Sequence, residues 1–150
     1  MDERVTKLRL AYAADSRHMN KVSTAIVCLL KPLGSIVDSI TYDNGKEFAN
    51  HQITSQAIGC MSYFAKPYSS WERGQNAPIK GVLKRKNANG LLRQYFPKKT
   101  NLKDVGYCRV KAATDSLNSR PRKCLGYKTP FEVFYSMTGI DVRKLEVVHL

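Results

Sequence analysis

The sequence predicts an α/β fold with a mixed sheet flanked by helices. Short apolar, β-branched runs of strand length alternate with segments whose apolar residues recur at helical spacing. Gly, Pro and Asn mark nearly every junction between them. No linker divides the 150 residues, a length that suits one domain.

Taken in order, Leu8 to Ala14 is short and apolar and reads as a strand. Asp15-Ser16 can cap a helix reaching Leu30, with Val22, Ala25, Ile26 and Leu29 along one face. Lys31-Pro32-Leu33-Gly34 ends it. Ile36 to Tyr42 alternates as a strand that stops at Asp43, and Asn44-Gly45 turns the chain. A helix over Glu47 to Ile58 follows, then Gly59 and a strand over Cys60 to Ala65. Lys66 to Ser70 is a loop, and a long helix opens near Ser70 to Arg73, disturbed by Gly74 and Pro78. Lys103 to Asn118 is helical. Thr129-Pro130 opens a last helix, because Pro is tolerated in a first turn, and Phe131, Val133, Phe134 and Met137 give it an apolar face.

The charge narrows the function. Twenty-five Lys and Arg against 12 Asp and Glu give a net charge of +13, which favours a polyanionic partner, nucleic acid before membrane. The hydrophobic fraction of 43% argues against a disordered chain. No run is long enough to span a bilayer, and Met1-Asp2-Glu3-Arg4 has neither the basic nor the apolar part of a signal peptide, so the expected location is the cytoplasm. Cys28, Cys60, Cys108 and Cys124 form no Cys-x-x-Cys pair and the histidines are scattered, which speaks against a zinc site or a disulfide framework.

Three groups could carry chemistry. Asp43 ends a strand before a Gly turn, a place where site residues sit, and its carboxylate suits a hard divalent ion. An ordinary Asx turn accounts for the same residues. Tyr63 to Gly74 sets aromatics beside bases, as nucleobase stacking requires, although core packing is the favoured reading of these aromatics, Trp71 above all. Between Lys80 and Lys111 lie Lys80, Lys84, Arg85, Lys86, Arg93, Lys98, Lys99, Lys103, Arg109 and Lys111 against the single acid Asp104. Bases set near phosphates release condensed counterions and give salt-sensitive, sequence-blind affinity. Arg120, Arg122 and Lys123, stiffened by Pro121, suit a phosphate backbone or a solvated connector.

Several segments recur in order in one family: Asp43-Asn44-Gly45-Lys46-Glu47-Phe48-Ala49, Tyr63 to Tyr68, Ser70 to Gly74, Asn89 to Lys98, Leu117 to Lys123, and Leu125 to Phe134. Over about Arg4 to Phe134 the chain resembles the C-terminal part of bacterial insertion-sequence transposases of the "insertion sequence thirty" family. The resemblance implies a ribonuclease-H-like core of the retroviral-integrase type, about residues 4–98, with a helical segment over 101–150. It implies an Asp, Asp, Glu triad holding two Mg²⁺ (or Mn²⁺) ions for DNA nicking and strand transfer. DNA is the implied partner, with a homo-oligomer or a full-length transposase as further partners. On that reading Asp43 is the second Asp and a metal ligand.

The departures matter as much. The first Asp and the early strands belong upstream of the segment resembling Asp2 to Lys7, so the expectation is a truncated core without the N-terminal DNA-binding part. Asp2 is poorly placed to substitute. The Glu position falls on Ala77, since the 33 residues 44–76 separate it from Asp43 and this is the family spacing. Alignment backward from Asn89-Gly90 places Lys86 there instead. A methyl group does not ligate Mg²⁺ and an ammonium repels it. Glu72, five residues before Ala77, is turned about 140° away on a helix at about 100° per residue. The expectation is therefore a catalytically impaired transposase, or a non-catalytic basic DNA-binding or inhibitory remnant.

Overall fold

The strand, helix, strand order read from residues 36–65 is present. The computed structural model describes residues 1–14, 16–66, 88–97, 100 and 105–145. The chain divides into two units, one of residues 14–82 and 147–150, the other of 1–13 and 83–146.

In the first of these, helix α1 spans Met19–Leu30. Its cap is His18, whose ring nitrogen accepts from the Asn20 amide at 3.4 Å, so the helix starts later than a cap at Asp15-Ser16 would place it. Asp15 lies outside the described residues. Ala25, Ile26, Leu29 and Leu30 form the buried stripe, and Val22 lies at its edge. The chain then tightens into a 3₁₀ turn, Lys31–Ile36, with Pro32 in its first turn. Ile36 is thus taken from the predicted strand, and β1 is only Ser39–Tyr42. It keeps the expected alternation, with Ile40 and Tyr42 buried.

A 3₁₀ turn, Lys46–Phe48, and helix α2, His51–Ile58, replace the single helix predicted over 47–58. Gly59 closes α2 at φ +83°, a conformation that suits a residue without a β-carbon. Strand β2, Met61–Phe64, pairs parallel to β1 with Ser39 opposite Met61 and Tyr42 opposite Phe64. A parallel pair needs a crossover, and α2 supplies it. The Ser23 and Thr54 hydroxyls bond at 2.6 Å where α1 meets α2. Each large aliphatic side chain buried in this core contributes about 1.5–3 kcal/mol.

The second unit begins with a correction. Leu8 to Ala14 is not a strand. Lys7 takes φ +62° and folds residues 1–10 back on themselves, leaving a single antiparallel bridge between Asp2 and Arg9. The Glu3 carboxylate holds the bend, accepting from the Val5 and Thr6 amides at 2.8 and 2.5 Å and from the Thr6 hydroxyl at 2.6 Å. Burial acts to raise the Glu3 pKa, but these hydrogen bonds outweigh it and hold the carboxyl below its usual range.

Helix α3 spans Ala88–Leu92 and α4 Tyr107–Asn118. Val110, Ala113, Thr114, Leu117 and Asn118 form the buried face of α4. Helix α5, Pro130–Thr138, starts at the predicted place. Thr129 and Glu132 cap it reciprocally, and Gly139 ends it at φ +70°. Phe131 and Phe134 are buried as expected, but Met137 is 60% exposed. The apolar stripe is too narrow to include it. The long helix predicted from Ser70 lies outside the described residues. No helix among the described residues is long and apolar enough to cross a membrane.

Candidate nucleic-acid interface and the Asp43 turn

Asp43 follows β1 directly and is solvent-exposed. Its Oδ1 accepts from the Gly45 amide at 3.2 Å, which is an Asx turn. Asn44 fixes the turn to the sheet: its side-chain amide donates to the Ala65 carbonyl, just past β2, at 2.9 Å. The Glu47 carboxylate folds over Gly45, where a β-carbon would fall 2.5 Å from Oε2. Glycine leaves that side chain room to lie there.

Beneath the turn is an aromatic cluster. The Tyr42 ring lies 5.1 Å from Phe48 and 5.7 Å from Phe64, and His51 meets Phe64 edge-on at 4.7 Å. The Tyr42 hydroxyl is buried without a hydrogen-bond partner among the described residues. Burial, with Cys60 nearby, pushes its pKa up to about 12.

This turn tests whether the residues fit a two-metal site. Among the described residues no group of three or more His, Cys, Asp or Glu side chains gathers to hold an ion. Asp43 Oδ1 is also engaged by the Gly45 amide. The described residues therefore do not fit a two-ion centre, and no reaction step follows from them. Asp2 is committed elsewhere: its Oδ1 pairs with Arg9 Nε at 2.6 Å. Ala77, Lys80, Lys84, Arg85, Lys86, Lys98 and Lys99 lie outside the described residues.

Six bases picked from the sequence are described, and they differ. Arg109 is exposed on α4, and Lys111 pairs with Asp115 at 3.0 Å. Arg93 is exposed just after α3. Arg120 is exposed but held: its guanidinium donates to the Gln94 side-chain carbonyl at 3.3 Å and to the Tyr95 hydroxyl at 2.7 Å, and it lies 5.7 Å from the Tyr95 ring centre. Arg122 is half-buried and donates to the Leu117 carbonyl at 3.4 Å. Burial first, then the charge of Arg9, lowers its pKa. Lys123 is exposed at the start of a 3₁₀ turn, Lys123–Leu125. Arg120 thus joins the loop after α4 to the segment after α3. Gln94 and Tyr95, which hold it, carried no sequence signal of that role beyond lying in a shared motif.

The chain is similar to several curated proteins. It is 43% identical over 113 residues to a transposase for insertion sequence element IS4351 of Bacteroides fragilis, covering 75% of this chain and 32% of that protein. It is 39% identical over 109 residues to a transposase for insertion sequence element IS1086 of Cupriavidus metallidurans, covering 73% and 30%. With the transposase InsI for insertion sequence element IS30A of Escherichia coli it shares 42% identity over 95 residues, covering 63% and 22%. The chain thus spans about a third or less of the length of these relatives. No family model matches, and no solved structure does.

Proposed function

We infer, for a chain that belongs by sequence with the insertion-sequence transposases, a function on DNA in the transposition of a mobile element. The observation that carries this is the 39–43% identity over 95–113 residues to proteins named for that role. The net charge of +13 supports it, because a polyanionic partner balances such a surplus.

The architecture proposed is a ribonuclease-H-like core over about residues 4–98 followed by a helical segment over 101–150. The parallel β1–α2–β2 unit with an acid at the end of β1 supports that reading. In it Asp43 is the second Asp of an Asp, Asp, Glu set. Such sites hold Mg²⁺ or Mn²⁺, which supplies the activation of water and of a 3′-hydroxyl for phosphoryl transfer. The sequence has Ala77, or Lys86, in place of the Glu. The proposed state is therefore DNA-binding without turnover, through Arg93, Arg120, Arg122 and Lys123 together with Lys80, Lys84, Arg85, Lys86, Lys98 and Lys99. A mixed oligomer with a full-length transposase would make the chain an inhibitor.

The test is a strand-transfer assay with Mg²⁺ or Mn²⁺ beside a mobility shift at graded salt. The expected result is salt-sensitive binding with no cleavage. Turnover that Asp43→Ala abolishes would overturn the impairment, and absence of binding at low salt would overturn the DNA function.

A further inference from the structure

We propose that the loop between α4 and α5 is a preformed knuckle that stacks Tyr127 on an unpaired base of DNA. This rests on the DNA function above. Leu125 to Lys128 is a tight turn, closed by the Lys128 amide donating to the Leu125 carbonyl at 3.2 Å. Its two central residues, Gly126 and Tyr127, have φ +61° and +63°. This is the pattern of a type I′ turn, which favours Gly or Asn at both places. A tyrosine there is held in the left-handed region against its steric preference.

The surroundings keep it there. The Arg122 amide donates to the Lys128 carbonyl, and the Tyr127 amide to the Arg122 carbonyl, each at 3.0 Å. The Arg122 guanidinium anchors the loop to the end of α4 through the Leu117 carbonyl, and the capped start of α5 fixes the other side. Yet the ring so held is 70% exposed, and among the described residues its side chain makes no hydrogen bond or ring contact. A large aromatic held in a costly conformation while 70% exposed contributes little to the fold. A ring fixed in advance loses little freedom on binding. Lys123 and Lys128 lie exposed on the same loop, and Arg120 precedes it. An exposed aromatic on a loop that also carries exposed bases suits a nucleobase joined to phosphates. Duplex DNA keeps its bases stacked, so the fitting occupant is a strand with unpaired bases.

The test is fluorescence anisotropy of the full chain with a labelled single-stranded DNA of about 16 nucleotides and with the same sequence as duplex. Tyr127→Gly is expected to weaken single-strand binding about tenfold and duplex binding less than about twofold, while Tyr127→Phe binds like the parent. Lys123→Ala is expected to weaken both DNAs alike and to flatten the salt dependence. Glycine suits the left-handed turn, so the Tyr127→Gly variant is expected to melt no lower than the parent, which separates lost binding from lost fold. Unchanged single-strand affinity in Tyr127→Gly, equal loss on both DNAs, or a Tyr127-dependent preference for RNA of the same sequence would overturn the inference. In those cases the parent still binds DNA and the proposed function stands. A parent chain that binds neither DNA overturns both.

Discussion

Asn118, at the end of α4, satisfies both backbone groups of Arg9, 109 residues away in sequence. The Arg9 amide donates to Asn118 Oδ1 at 2.9 Å, and Asn118 Nδ2 donates to the Arg9 carbonyl at 2.8 Å. Asn118 is 1% exposed and Arg9 2%. The side chain thus acts as one more rung of a ladder and ties the N-terminal bend to α4. Asn118→Ala leaves a buried N–H and a buried C=O without these partners, at about 1–3 kcal/mol each. The expected loss is about 3 kcal/mol. Urea denaturation checks it: the midpoint should fall with the slope unchanged. A midpoint equal to the parent's would show that the bend is not docked on α4 in solution.

Tyr42 presents the opposite case. Its ring is packed against Phe48 and Phe64, but its buried hydroxyl has no hydrogen-bond partner among the described residues. Tyr42→Phe keeps the ring and removes an unsatisfied group, so stability should hold or rise by up to about 1 kcal/mol. The parent should also carry an alkaline signature. Its hydroxyl has an ordinary value of 10.0 when unfolded and about 12 when folded, so its titration leaves stability unchanged below pH 10 and lowers it as pH rises from 10 toward 12. Unfolding followed at successive pH values should show this slope in the parent and a smaller one in the phenylalanine variant.

These two sites show what was legible in the sequence. The β1–α2–β2 order was, because Ile40 and Tyr42 alternate and Gly59 marks a helix end. So was α5, whose Thr129-Pro130 start is local chemistry. The bend at Lys7 was not. Its apolar neighbours Leu8 and Leu10 resemble a strand, and only the Glu3 carboxylate and a partner 109 residues distant redirect them. The Asx turn at Asp43 was legible because it spans three residues. The capture of Arg120 by Gln94 and Tyr95 was not, since nothing in the spacing distinguishes a held arginine from a solvated one. Tyr127 escaped for the same reason: its turn is defined by a pair of positive φ angles, and its neighbours, apart from Gly126, do not announce them.

The cap of α5 gives a third prediction. Thr129 Oγ1 accepts from the Glu132 amide at 3.2 Å, and Glu132 accepts from the Thr129 amide at 2.7 Å and from its hydroxyl at 2.9 Å. The backbone bond first, then the hydroxyl bond, holds the Glu132 carboxyl below its usual range. A depressed carboxyl contributes stability above its unfolded value, and the contribution is lost as pH falls through the folded one. Thr129→Ala removes the hydroxyl from both bonds, and loss of such a cap costs about 1 kcal/mol. The Glu132 pKa should move upward in an NMR titration of the variant while α5 frays at its first turn. An unmoved titration would show that the backbone amide alone sets it.

Asp43 supplies the last prediction, which separates a turn from a metal ligand. Asp43→Asn keeps a side-chain oxygen for the Gly45 amide, so the Asx turn survives and the stability should stay within about 0.5 kcal/mol of the parent's. Any ion that binds the folded chain raises its stability by mass action, by about 2.7 kcal/mol at a hundred times the dissociation constant. With no group of three or more candidate ligands gathered among the described residues, and Ala77 or Lys86 where a Glu is expected, millimolar Mg²⁺ should shift the midpoint of parent and variant equally little. A Mg²⁺-dependent rise in the parent that is absent from Asp43→Asn would show that Asp43 holds an ion after all. The impairment proposed from Ala77 would then give way to an ion-binding role for Asp43.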